Sequence, residues 1–202
     1  MSFIAFLVSI NMAEAQKGLS IRGGLLHDTP QQEVFVDIEP GVGYIADIGY
    51  DFFERIGAEL GVMHSTHEFR AGLRGPAVVT NKAEKTAIFI KGRFLPLKTG
   101  KYEIQLGIGP AFYSIAGDIE AEEGGIPGEL GFTGWGYIAA LDLKHYVTEN
   151  LAVTFYLSAN IVKYSKQTFN SLNISNPSRL PRGNSFSWGL TLFYRIGKLK
   201  LS

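Results

Sequence analysis

Residues 41–53 alternate with a period of two. Val42, Tyr44, Ala46, Ile48, Tyr50 and Phe52 form one set; Gly41, Gly43, Ile45, Asp47, Gly49, Asp51 and Phe53 form the other. Successive side chains of a strand point to opposite faces, so this stretch has one wholly apolar face and one that is mostly small or acidic. The same split recurs over 55–66, 85–95, 101–115, 134–147, 151–164 and 185–197. It is least clean over 18–27, where Leu26 fits neither set. Eight strands of about 10–14 residues follow. Ordinary globular strands run about 5–6 residues, whereas an outer-membrane strand crosses in about 9–11.

The connections alternate in length. Residues 28–40, 67–83, 116–133 and 166–184 are long and rich in Gly, Pro, Asn and charge; Phe53-Glu54, Pro96–Gly100 and Thr148–Asn150 are short. This predicts an all-β, antiparallel up-and-down meander, closed into an eight-stranded transmembrane barrel with its long loops at one end. Pro110 lacks a ladder N–H and is expected at a bulge near the rim.

The rival is a soluble, lipocalin-like barrel, with apolar side chains inside. Glycine is 24 of 202 residues and falls largely on the polar face, which suits a narrow lumen. The apolar face carries too many bulky residues for one small interior. Its aromatics gather toward the strand ends: Tyr50, Phe52, Phe94, Tyr102 and Tyr194 at the turn end, and Tyr44, Phe112, Trp135, Tyr137, Phe186 and Trp188 at the loop end. Two aromatic girdles around an aliphatic band match a lipid-facing surface.

Composition removes other classes. Lys+Arg and Asp+Glu are both 19, so no basic excess offers itself to nucleic acid. Cysteine is absent, which excludes disulfides, thiol catalysis and Cys-based metal sites. Residues 1–15, MSFIAFLVSINMAEA, hold a short apolar run and an Ala-Glu-Ala cleavage pattern, and read as a signal peptide lacking the usual basic n-region. The alternative is a short amphipathic helix. Residues 16–202 are then the barrel domain.

The hairpin phrases GVGYIADIGYDFFERIGAELGV and YEIQLGIGPAFYS, with HYVTENLAVTF echoing FFERIGAEL, resemble the OmpA/OmpW/OmpX-type small outer-membrane β-barrel proteins. The resemblance implies a bacterial outer-membrane location, contact with lipid and lipopolysaccharide, and no enzymatic activity. The run Ser187–Tyr194 is similar to the signal such proteins present to the barrel-assembly machinery, although here Arg195–Ser202 follows it. OmpW-like members imply passage of a small ligand.

Placing the inward residues by height gathers Asp51, Arg55, Glu59, Lys91, Arg93, Glu103, Asp142, Lys144 and Arg195 in the turn-side half, with Arg22 and Asp47 near mid-height. Buried charges of mixed sign must pair, so a salt-bridged gate is expected there. The loop-side half, lined by residues such as Gly43, Ile45, Gly61, Met63, Gly109, Ala111, Ser158 and Asn160, is expected to form a shallow open cup.

Met63–Glu68 is the one stretch resembling a catalytic or metal cluster. His64 and Ser65 fall on opposite faces, and His64 with His67 lacks a third ligand. No catalytic residue, metal or cofactor is assigned. The function classes are a structural barrel with a small-solute passage or binding role, a loop-borne adhesin and, less well supported, a lipid A-modifying enzyme or a lipocalin-like carrier. Asp118, Glu120, Glu122 and Glu123 make one loop acidic, which reads as a solvated loop.

Overall fold

The computed structural model describes residues 18–31, 36–71, 78–119, 127–174, 180 and 182–198. The signal-peptide segment and Glu120, Glu122 and Glu123 lie outside the described residues.

Eight long strands carry the fold: β1 (Gly18–Pro30), β3 (Gly41–Asp51), β4 (Ile56–Ala71), β5 (Val78–Thr99), β6 (Tyr102–Ile119), β7 (Gly128–Tyr146), β8 (Leu151–Phe169) and β10 (Ser185–Lys198). Two short strands, β2 (Val36–Ile38) and β9 (Leu172–Asn173), add to β4 and β8. Each long strand pairs antiparallel with its neighbour, and β10 pairs with both β8 and β1. The sheet is therefore closed. Closure is what a sheet in hydrocarbon requires, because an open edge leaves N–H and C=O groups unpaired.

Side chains alternate around this ring. The outer wall exposes Leu25, Val42, Ile48, Leu60, Ile88, Ile90, Leu106, Ile108, Leu190 and Leu192. The buried side chains of the same strands include Arg22, Asp47, Glu59, Lys91, Arg93, Glu103, Asp142 and Lys144. A water-soluble barrel would show the reverse. An apolar band of this extent on a closed barrel is a lipid-facing surface.

Several details differ from the sequence expectation. β4, β5, β6, β7 and β8 run well into segments read as loops. Strand alternation is legible only where one face is apolar, and these extensions carry polar groups such as Lys82, Glu84 and Asp118 outward. β10 has no such extension; β1 runs three residues past its expected end to Pro30, and β2 continues the line of β3 along β4. Pro110 lies in mid-strand, exposed on the outer face, in unbroken register opposite Tyr137. The β5–β6 irregularity falls instead between Phe94 and Leu97. The β5–β6 turn narrows to Gly100 and Lys101, and Gly100 takes a φ of 55°, a conformation that favours glycine. Asn170 and Ser171, at φ 48° and 67°, form the two-residue turn between β8 and β9.

Candidate functional site

The lumen is filled in three layers. At the turn side lies an ionic plug centred on Glu59 of β4. Glu59 Oε1 accepts from Arg93 Nη1 at 3.1 Å and Gln105 Nε2 at 2.7 Å; Oε2 faces Lys91 Nζ at 2.9 Å and Arg22 Nη2 at 3.4 Å. Arg22 also donates to Asp47 and, from Nη1, to Asp142 at 2.6 Å. Arg93 Nη2 reaches Asp51 at 2.5 Å. Lys144 donates to Gln105 Oε1 at 2.6 Å, and Gln105 in turn donates to Asp142 at 3.0 Å. Nearest the turns, Glu103 accepts from Tyr146 at 2.9 Å and faces Arg195 and Lys98 at 3.6 and 3.4 Å. Acids and bases from β1, β3, β4, β5, β6 and β7 thus converge across the barrel, which only closure makes possible.

Glycine creates the space for them. A Cβ on Gly49 or Gly57 would strike the Arg93 guanidinium, and one on Gly61 would strike Asp47 and the Phe89 ring. The inward positions of β3 and β4 are bare because side chains from β5 occupy their volume.

Above the plug lies an apolar and aromatic floor of Leu26, Ile45, Met63, Phe89, Ile138 and Tyr156. The cations beneath lie under its rings: Arg22 is 4.9 Å and Lys91 5.3 Å from the Tyr156 centroid, and Lys91 is 5.2 Å from that of Phe89. Leu26, which fits neither face in the sequence pattern, is inward and belongs to this layer.

The loop-side layer is a buried polar chamber, not the open cup expected. Asp28 Oδ2 accepts from Lys85 Nζ at 2.8 Å, and Oδ1 accepts from Ser187 at 2.6 Å. Lys85 also donates to Ser185 at 2.6 Å, and Asn160 ties Ser185 and Ser187 to the Tyr113 hydroxyl. Tyr113, Tyr164 and Phe132 fill the remaining width. A small cavity lined by Leu26, Asp28, Met63, Ser65, Lys85, Ala87 and Ser187 holds room for about one water.

Sequence reasoning missed a Ser–His pair here. Ser65 and His67 are two apart on a strand and share the inward face, with Ser65 Oγ 2.8 Å from His67 Nε2. His67 Nδ1 lies 2.9 Å from the Glu39 carbonyl, which can only accept, so Nδ1 carries a proton. Asp28 Oδ2 lies 3.4 Å from the same Nε2. His64 points outward against Tyr44 and Thr86, so the two histidines do not meet. Among the described residues, no three His, Asp or Glu side chains are placed to hold a metal.

Of the charged residues singled out in the sequence, Arg22, Asp47, Asp51, Glu59, Lys91, Arg93, Glu103, Asp142 and Lys144 are buried in the plug, and Arg195 is half-buried at its lower edge. Arg55 is not among them. It is exposed, because the chain has left the ladder over 52–55 and alternation no longer fixes its direction. The aromatic residues Tyr44, Phe52, Phe94, Tyr102, Trp135, Tyr137, Phe186, Trp188 and Tyr194 are exposed on the outer wall, with Tyr50 and Phe112 half-buried. Phe112 and Trp135 pack edge to face at 5.4 Å, and His27 lies 5.3 Å from Trp188.

No family model matches the sequence, and no curated protein matches it. Solved structures do match in fold. OprG from Pseudomonas aeruginosa, an outer-membrane protein, superposes with a TM-score of 0.69 at 14% identity, over 91% of this chain and 97% of that one. The chain is an outer-membrane-type β-barrel. A major outer membrane protein from Thermus thermophilus gives a TM-score of 0.63 at 13% identity, over 89% and 99% of the two chains. Ail of Yersinia pestis, the attachment invasion locus protein, gives 0.57 at 11% identity, over 90% and 99%. These likenesses agree with the apolar outer wall and the closed ring of eight strands.

Proposed function

We propose that the protein resides in the bacterial outer membrane as a barrel closed at rest, with the Glu59-centred plug as a gate against small solutes. The supporting observation is the plug itself. Asp47, Asp51, Glu59, Glu103 and Asp142 meet Arg22, Lys91, Arg93 and Arg195 across the full lumen, and Lys144 joins them through Gln105. An eight-stranded barrel is only wide enough for its own side chains, so their pairing decides whether a path exists. In this reading β10, which closes the barrel between β8 and β1, carries the segment offered to the assembly machinery. Lipid and lipopolysaccharide surround the wall.

Planar-bilayer recording tests the gate. The parent protein is expected to conduct weakly, and Arg93→Ala or Glu103→Ala to raise the conductance. Unchanged currents in both variants remove the gate and leave a structural barrel.

A surface-contact role is the second reading. It is favoured by the tall, polar extensions of β4 to β8 on one side of the mouth. Adherence of bacteria displaying the protein, compared with bacteria lacking it, tests that role. The Ser65–His67 pair does not support an enzymatic reading. Its cavity admits about one water, whereas ligand pockets take about 300–1,000 Å³.

A further inference from the structure

We propose that the outer wall at the loop end of β7 and β8 carries a seat for the phosphate of a phosphorylated glycolipid in the outer leaflet, formed by Lys163, Lys166 and Arg182. The seat rests on the reading of the chain as an outer-membrane barrel with its loop end outward. It is independent of the plug.

The register brings the three cations onto one face. Up to Lys163 the odd-numbered side chains of β8 point outward: Phe155, Ala159 and Ile161 are exposed, whereas Tyr156, Asn160 and Val162 are buried. Unbroken alternation would turn Lys166 into the lumen. The β7–β8 ladder instead slips between Thr133 and Gly134, which face Lys166 and Tyr164, so Ser165 is an extra residue. This bulge re-aims Lys166 to the outer wall above Lys163, where it is exposed opposite Thr133. Arg182 faces Lys163 across an antiparallel bridge and is exposed as well. Residues directly opposite in such a pair share a face. Like charges set side by side repel, and an anion held between them reverses the sign of that interaction. Guanidinium and ammonium donors together suit phosphate oxygens.

The surroundings select an anion borne by a lipid. On its other side Lys163 faces Trp135, which is exposed and packs edge to face on Phe112 at 5.4 Å. Next toward the membrane centre come Tyr137 and Ile161, a register pair with both side chains exposed. The cations therefore cap the aromatic girdle, at the level where head groups meet acyl chains. Lysine stems lie along apolar surface while the charge stays in the polar layer. The sign is local. Asp118 and Glu129 face each other across β6 and β7, further toward the mouth than Thr133. On β4 and β5 the exposed charges Glu68, Lys82 and Glu84 are of mixed sign.

Trp135 reports on the seat once Trp188→Phe removes the second tryptophan. The barrel in this background is reconstituted in nanodiscs of zwitterionic phospholipid and titrated with lipid A, or with lipid A stripped of its phosphates. Lipid A is expected to give a saturable change in fluorescence, and the stripped lipid to bind about tenfold more weakly, the worth of a hydrogen bond to a charged group. Lys163→Ala combined with Lys166→Ala is expected to weaken lipid A binding to the same degree. Lys163→Arg combined with Lys166→Arg retains it, and Lys82→Ala, on β5, leaves it unchanged. The absence of a saturable change, equal affinity for both lipids, an unchanged double Ala variant or an equal loss in Lys82→Ala overturns the seat. So does tighter binding of a heparin oligosaccharide than of lipid A, which assigns the cations to a soluble sulfated glycan. A difference in gel mobility between boiled and unboiled samples identifies a closed barrel. A parent protein without it fails as a membrane barrel and the seat falls with it; a closed barrel that ignores the phosphates loses the seat alone.

Discussion

The two ends of the lumen solve the same packing problem differently. The turn-side plug binds β1 and β3 through β7 with interlocked charges, and Glu59 alone meets Arg22, Lys91, Arg93 and Gln105. The loop-side chamber holds the buried Asp28–Lys85 ion pair, surrounded by hydroxyl, amide and imidazole groups. Each charge in the plug depends on several others, whereas the chamber charges depend on each other and on dipoles. The plug is therefore a rigid unit that fails as a whole. The chamber is a local arrangement that tolerates the loss of one member.

Glu59→Gln gives the largest expected contrast. It replaces the carboxylate shared by three cations with a neutral amide and leaves Lys91, whose ion-pair partner in the plug is Glu59, buried without its countercharge, a situation that costs about 3–5 kcal/mol. Urea unfolding in lipid vesicles is expected to show a loss of that size. A loss below about 1 kcal/mol, well short of that range, means the plug charges are hydrated and the comparison fails.

Lys85→Met is expected to cost less, about 1.5–3 kcal/mol, the worth of a hydrogen bond to a charged group. Asp28 keeps Ser187 at 2.6 Å and has His67 Nε2 at 3.4 Å. Adding Asp28→Asn to Lys85→Met removes the orphaned charge and is expected to restore part of the loss in the same assay. Equal losses for Glu59→Gln and Lys85→Met would erase the distinction between the two ends.

The contrast also explains what the sequence could and could not reveal. The outer wall was legible because period-two alternation needs only the chain's own residues, and Ile48, Leu60, Ile108 and Leu190 mark it directly. The plug charges fall on the opposite face by the same arithmetic. Their partners were not legible, since Arg22 meets Asp142 across 120 positions and the pairing exists only once β10 closes on β1. Arg55 was misplaced because alternation stops in a turn, and the turn begins at Phe52. The chamber was missed for two reasons. Asp28 and His67 lie in segments read as loops, where polar outer positions hide the strand. Phe89, Tyr113, Tyr156 and Tyr164 are large residues on the face that its glycines made look empty. Ser65 and His67, two apart on one strand, were the available sign that the chamber carries its own polar cluster.

Both ends depend on which face of the sheet meets lipid. The chain has two tryptophans, Trp135 and Trp188, and both are exposed on the outer wall, 64% and 44%. Tryptophan fluorescence in vesicles of phospholipid brominated along the acyl chains tests this directly. Strong quenching by the brominated chains, with little effect of aqueous iodide, is expected. Efficient quenching by iodide and none by the bromolipid would place these rings in water and contradict the assignment of the apolar face to the membrane.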